Sequence, residues 1–280
     1  MKTTRLVGQH GLSLVADVGG NPGQTPVILL HGGGQTRHSW RAAAVQLVDS
    51  GYRVINLDQR GHGESDRAVG GDYSLEGFVG DLKAVCATLD QPPVLIGASL
   101  GGAAALLAAG ESPALKIRAL VLVDVVPRMA PEGVEHIRSF MADTLRGFAS
   151  LEEAAQAIAT YTPGRTRTPS TAGLLRNLSR KENGRYHWHW DPAFLEDESR
   201  SAPESFALRL EAAAAEISVP VLLVRGAQSN VVTEAGARSL MEIIAHAERL
   251  DVSGAGHMVA GDRNDIFNDA IVSFLAHALT

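Results

Sequence analysis

One stretch limits the fold of this chain more than any other: Val94-Leu95-Ile96-Gly97-Ala98-Ser99-Leu100-Gly101-Gly102-Ala103-Ala104-Ala105-Leu106-Leu107-Ala108-Ala109-Gly110. Apolar β-formers lead into Gly-x-Ser-x-Gly, and a run of Ala and Leu follows. The first part suits a buried central strand. The last part suits a helix, with Gly110 as its stop. A serine at such a strand-to-helix turn sits in a strained backbone conformation, and Gly97 and Gly101 let neighbouring backbone pass close by. The turn pushes the Ser99 hydroxyl out at the top of the sheet, beside the positive end of the helix. That environment suits a hydroxyl nucleophile, because acyl transfer develops an oxyanion.

The rest of the chain repeats the strand–helix alternation. Residues 3–7 and 12–18 read as an opening hairpin. Val27-Ile28-Leu29-Leu30 is a buried strand that ends at His31-Gly32-Gly33-Gly34, where glycines allow backbone N–H groups to point at a ligand. A helix over 40–50, a strand over 53–57, a helix over 73–89 and a strand over 118–123 follow. This order predicts an α/β fold, a mostly parallel central sheet of about eight strands with helices on both faces. Right-handed crossovers gather the strand ends on one edge, and with them His31, Asp58, Ser99 and Asp124.

Composition changes after residue 126. From 127 to 216 there is no buried-strand signal, and the segment is Ala/Glu-rich and proline-punctuated. It is expected to be a helical cap inserted after the sixth strand, with 1–126 and 217–280 forming the core. Two of the three tryptophans, Trp188 and Trp190, lie in it. Two readings stand side by side for them: a cap face over an apolar pocket, and plain cap-to-core packing. His187-x-His189 has no Cys or Asp/Glu cluster to make a metal site. The sheet resumes at 219–226, and 248–252 is its last strand. A closing amphipathic helix over 262–279 ends the chain.

Charge and cysteine usage narrow the classes. A net charge of −6 argues against a nucleic-acid surface. A single cysteine, Cys86, rules out an internal disulfide and reads as a buried thiol. No run reaches the roughly 18 apolar residues of a membrane span, and no signal-peptide core stands at the N-terminus. A cytoplasmic protein without cofactor or metal is the expectation.

His257 lies in the glycine-rich loop Ser253-Gly254-Ala255-Gly256-His257-Met258 after the last strand. That loop can reach across the strand-end edge. The order Ser, acid, His along the chain fits a nucleophile elbow. Ser99 in Gly-Ala-Ser-Leu-Gly, His31-Gly32-Gly33-Gly34, Asp58-Gln59-Arg60-Gly61-His62-Gly63-Glu64-Ser65 and Gly256-His257 together resemble the α/β-hydrolase family. The likeness is to its esterase, lactonase and cofactor-free haloperoxidase-like branch.

The resemblance implies Ser99 as nucleophile and His257 as general base and then general acid. It implies the Gly33 and Leu100 N–H groups as an oxyanion hole. His31, Gly32, Trp188, Trp190 and Met258 are assigned to the substrate pocket, with His31 also buttressing its loop. The acid departs from the pattern. Related hydrolases place an aspartate in the loop after the strand 221–225, where this chain has Asn230 beside Ser229. Three readings stay open. Asp124 supplies the carboxylate, which is preferred; Asn230 orients His257; or Asn230 is an inactivating change. The leading function is hydrolysis of small esters or lactones through an acyl-enzyme. The alternatives are a non-catalytic small-molecule binder on the same scaffold, a carbon–carbon bond hydrolase, or a perhydrolase.

Overall fold

A computed structural model of the chain describes residues 1–161, 171–196, 203–257 and 264–280. Eight strands form the central sheet: β1 (Lys2–Val7), β2 (Ser13–Gly19), β3 (Pro26–Leu30), β4 (Arg53–Leu57), β5 (Val94–Ala98), β6 (Ala119–Val123), β9 (Val221–Gly226) and β10 (Glu248–Val252). Their spatial order is β1-β2-β4-β3-β5-β6-β9-β10. Neighbours from β4 to β10 run parallel, and β1 and β2 run antiparallel to their neighbours. The expected sheet is therefore the observed one.

Residues of β3, β6 and β9 are buried throughout, as strands covered on both faces must be. Alternate residues point to opposite layers. Val27 and Leu29 pack with Trp40, Ala44, Leu47, Phe267 and Phe274. These belong to helix α1 (Arg41–Asp49), its lead-in turn and the C-terminal helix Asn264–Ala278. Ile28 and Leu30 pack in the other layer. That layer holds α2 (Leu75–Cys86) and α3 (Leu100–Gly110). Cys86 is buried there, and burial pushes its thiol up to about 12.

After β6 the chain leaves the sheet and returns at β9. Between them lie α4 (Pro131–Asp143), α5 (Leu151–Tyr161), a helical turn α6 (Thr171–Leu174) and α7 (Pro203–Ala215). The segment also holds an antiparallel hairpin of two three-residue strands, β7 (Leu178–Arg180) and β8 (Tyr186–Trp188), which the sequence did not announce. Phe148, Ala154, Leu174 and Leu178 make a small core of their own there. The helix α7 lies on the sheet's own layer, with Leu210, Ala213 and Ala214 buried in it. Arg209 ties it down through Glu111 and Glu76, each at 2.6 Å.

Close backbone packing surrounds the turn between β5 and α3. A Cβ on Gly97 would lie 2.5 Å from the Gly101 backbone, and one on Gly101 would lie 2.6 Å from the Leu30 carbonyl oxygen. Both obstacles are backbone, so neither can step aside. Gly97→Ala and Gly101→Ala are each expected to cost about 2 kcal/mol or more in urea unfolding. Gly23→Ala, which meets nothing within 4 Å, is expected to stay within about 0.5 kcal/mol.

Candidate active site

Ser99 sits between β5 and α3 with φ 48° and ψ −116°, outside the ordinary regions for a side-chain-bearing residue. Such strain costs about 1–3 kcal/mol and persists only where the surroundings enforce it. The Ser99 N–H donates to the Val123 carbonyl at 3.1 Å, which locks the turn to β6. Its hydroxyl does not cap the helix that it begins.

The loop after β3 lies against this turn. A Cβ on Gly32 would come 3.4 Å from Ser99 Cβ, and one on Gly33 would come 3.9 Å from Leu100 Cδ2. Two buried histidines hold the loop. Nε2 of His62 accepts from the Gly34 N–H at 3.0 Å, and Nδ1 meets the Arg60 carbonyl at 2.9 Å. Nε2 of His31 accepts from the Gln59 N–H at 3.0 Å, so Nδ1 carries the proton donated to the Gly32 carbonyl at 2.8 Å. Full burial keeps the His31 imidazole neutral, its pKa pushed down to about 4. His31 is thus a buttress with no exposed surface, whereas the sequence reading also placed it on the pocket wall.

The backbone donors of this region divide cleanly. Gly34 is bound to His62, and Gly32 donates to Gln35 Oε1 at 3.3 Å. Among the described residues, the Gly33 and Leu100 N–H groups meet no acceptor. Two uncommitted donors therefore flank Ser99, one from each side of the turn.

The opposite side is built from β6, β9 and the loop after β10. Asp124 follows β6 with φ 48°, a left-handed conformation that aspartate tolerates better than most residues. Its carboxylate is fully buried. Oδ2 accepts from His257 Nδ1 at 2.6 Å and from the Ser229 hydroxyl at 2.5 Å, and Oδ1 accepts from the Gly226 N–H at 3.0 Å. A Cβ on Gly226 would lie 2.1 Å from the Gly256 carbonyl oxygen, so this glycine lets the His257 loop cross the end of β9. The other ring nitrogen of His257 is left without a partner among the described residues, and no hydrogen bond joins it to Ser99.

Asn230, the alternative partner for His257, is exposed and makes no hydrogen bond to it. The Asn230 backbone carbonyl oxygen lies 2.1 Å from where a Gly133 Cβ would stand. Asp58, also at a strand end, has another role. It is fully buried and bound to the Arg37 guanidinium, to the Arg37 N–H at 2.7 Å and to the Glu64 N–H at 3.0 Å. It holds the 58–65 loop in shape.

Trp190 is buried over the glycine loop, its Nε1 3.7 Å from a Gly34 Cβ position beside Met141. Trp188 is half-buried and donates to Thr144 Oγ1 at 2.9 Å, with its ring edge-on to Phe148. Met258 lies outside the described residues. Two residues that sequence reasoning missed are central here. Phe194 stands on Gly33, its Cζ 3.0 Å from the Cβ position, and packs edge-on against His62. Asp191 accepts from the buried Tyr73 hydroxyl at 2.7 Å, which ties the inserted segment to the core. The Trp190-Asp191-Pro192 sequence did offer one signal for Asp191, an aspartate in the helix-capping position before proline.

Among the described residues, no group of three His, Cys, Asp or Glu side chains is placed to hold a metal ion, and no helix is long and apolar enough to cross a membrane. An open cleft of about 410 Å³ lies between α4 and α5, lined by Phe140, Phe148 and Tyr161 and away from Ser99.

Comparison with known proteins agrees with this architecture. A model of the alpha/beta hydrolase fold matches residues 25–263. The chain is 28% identical over 250 residues to a 3-hydroxybutyrate-oligomer hydrolase of Cupriavidus necator, covering 85% of this chain and 84% of that protein. It is 30% identical over 245 residues to the esterase Rv0045c of Mycobacterium tuberculosis, covering 85% and 78%. The crystal structure of E-2-(acetamidomethylene)succinate hydrolase superposes with a TM-score of 0.82 at 21% identity, covering 98% of this chain and 99% of that one. With the elbow, the strand order and these relatives in place, the chain belongs to the alpha/beta hydrolase family and is a hydrolase.

Proposed function

We propose that this hydrolase cleaves small carboxylic esters or lactones through an acyl-enzyme on Ser99. The observation that carries the reading is the Asp124 carboxylate on His257 Nδ1 at 2.6 Å. A carboxylate there fixes the tautomer with the proton on Nδ1 and leaves Nε2 as the basic nitrogen. Relatives named esterase and hydrolase support the same chemistry.

The reaction then follows in two halves. Nε2 of His257 takes the Ser99 proton as Oγ attacks the ester carbonyl, and the Gly33 and Leu100 N–H groups receive the developing oxyanion. Collapse breaks the acyl–oxygen bond, and His257 returns its proton to the departing alcohol oxygen. In a lactone that alcohol stays attached to the acyl group. Water, deprotonated by His257, attacks the acyl-enzyme; the carboxylic acid leaves and Ser99 regains its proton. The two N–H donors are preorganised: the His62 and His31 hydrogen bonds fix the loop of Gly33, and the Ser99 N–H bond to Val123 fixes the turn that presents Leu100. The Phe194 ring on Gly33 and the Trp190 indole over Gly34 crowd the oxyanion loop, which favours a small acyl group.

The test is turnover of p-nitrophenyl acetate by the full chain. Ser99→Ala is expected to lower kcat by about 10⁴-fold or more. Turnover equal to that of the unaltered protein would refute the nucleophile. Asp124→Asn preserves shape and suits φ 48°, and is expected to lower kcat by about 10⁴-fold. Asn230→Ala is expected to stay within about threefold, because an exposed side chain off the histidine contributes little. The reverse ranking would make Asn230 the residue that orients His257.

A further inference from the structure

Ser229 occupies the turn after β9, and its hydroxyl hydrogen has one direction open to it. The N–H groups of Val231 and Val232 both donate to Ser229 Oγ, at 3.1 and 3.0 Å. They occupy its lone pairs, so its own proton points at Asp124 Oδ2, 2.5 Å away. That oxygen is the one that receives the His257 Nδ1 hydrogen. The Gly226 N–H holds the other carboxylate oxygen at 3.0 Å. Both oxygens are thereby fixed by groups on a single short turn, and the plane of the carboxylate is fixed with them.

We infer that Ser229 is a positioning residue: its hydroxyl sets the carboxylate of Asp124 so that Oδ2 faces His257 Nδ1. The inference rests on the reading that Asp124 and His257 activate Ser99. It assigns a function to a turn where the aspartate of related hydrolases is missing. The acid site is divided between two strands, with the carboxylate from β6 and a hydroxyl from the turn after β9. Ser229 faces the acid, and the neighbouring Asn230 faces solvent.

The division makes the carboxylate movable. An aspartate at 229 reaches one bond beyond the serine oxygen, toward the place that Asp124 Oδ2 now fills. Glycine at 124 vacates that place and adopts φ 48° without strain.

The experiment measures kcat, KM and thermal stability with p-nitrophenyl acetate for Ser229→Ala, Ser229→Thr, Asp124→Gly and the pair Asp124→Gly/Ser229→Asp, with Ser99→Ala beside them. Loss of positioning is expected to lower kcat of Ser229→Ala by about 10- to 100-fold, with KM changed by no more than about twofold. Ser229→Thr, which keeps the hydroxyl, is expected to recover most of that loss. The double variant is expected to exceed Asp124→Gly by about tenfold or more. An unchanged kcat in Ser229→Ala, or a fall that threonine does not recover, overturns the inference. Should Ser229→Ala fail to fold, the double variant decides, and no gain over Asp124→Gly overturns it. Turnover surviving in Ser99→Ala would instead overturn the underlying function.

Discussion

A carboxylate with no exposed surface is costly unless every lone pair that matters finds a hydrogen. Asp124 meets that demand with three donors, a backbone N–H of β9, a hydroxyl of the following turn and an imidazole N–H from the loop after β10. Two of the donors come from the 226–229 turn that ends β9, and the third comes from the loop after β10. The requirement therefore fixes how three neighbouring segments end, and it delivers His257 to the same sheet edge as Ser99. Removing one partner from such a set leaves a buried charge under-satisfied, which is why the arrangement holds the loop as firmly as the loop holds it.

The other half of the site depends on close backbone approach. Gly97, Gly101 and Gly226 stand where a Cβ would strike main-chain atoms at 2.5, 2.6 and 2.1 Å. Gly97 lets α3 pack on β5, and Gly101 lets it pack on the end of β3, which brings Leu100 beside Gly33. The third lets the loop carrying His257 cross the end of β9. Strain at Ser99 is sustained by that packing, together with the Val123 hydrogen bond. The buried histidines His31 and His62 act on the same loop. They serve as hydrogen-bonded struts, and full burial keeps the His31 imidazole neutral.

Much of this was legible in the sequence because it is local. A strand, a Gly-x-Ser-x-Gly turn and a helix occupy consecutive residues, and the strand order follows from alternation and handedness. What was hidden depends on contacts between distant residues. The sequence left Asp124 and Asn230 as rivals, since both follow sheet strands; only the direction of the side chains separates them. The hairpin over 178–188 escaped because three-residue strands carry no usable alternation. Phe194 is one apolar residue among many until its ring is seen on Gly33. Ser229 drew notice only as a neighbour of Asn230. The direction of its hydroxyl is set by the N–H groups of Val231 and Val232, a turn geometry that composition does not reveal.

On the proposed reading, Ser99 is the activated nucleophile of an Asp124–His257 pair. Its most direct test is covalent: treat the full protein with an alkyl fluorophosphonate, which phosphonylates activated hydroxyls with loss of fluoride, and map the adduct by peptide mass spectrometry. A single phosphonyl group on Ser99, formed far more slowly in a His257→Ala variant of equal stability, is the predicted result. An adduct on another residue, or labelling of Ser99 at the same rate without His257, would contradict it.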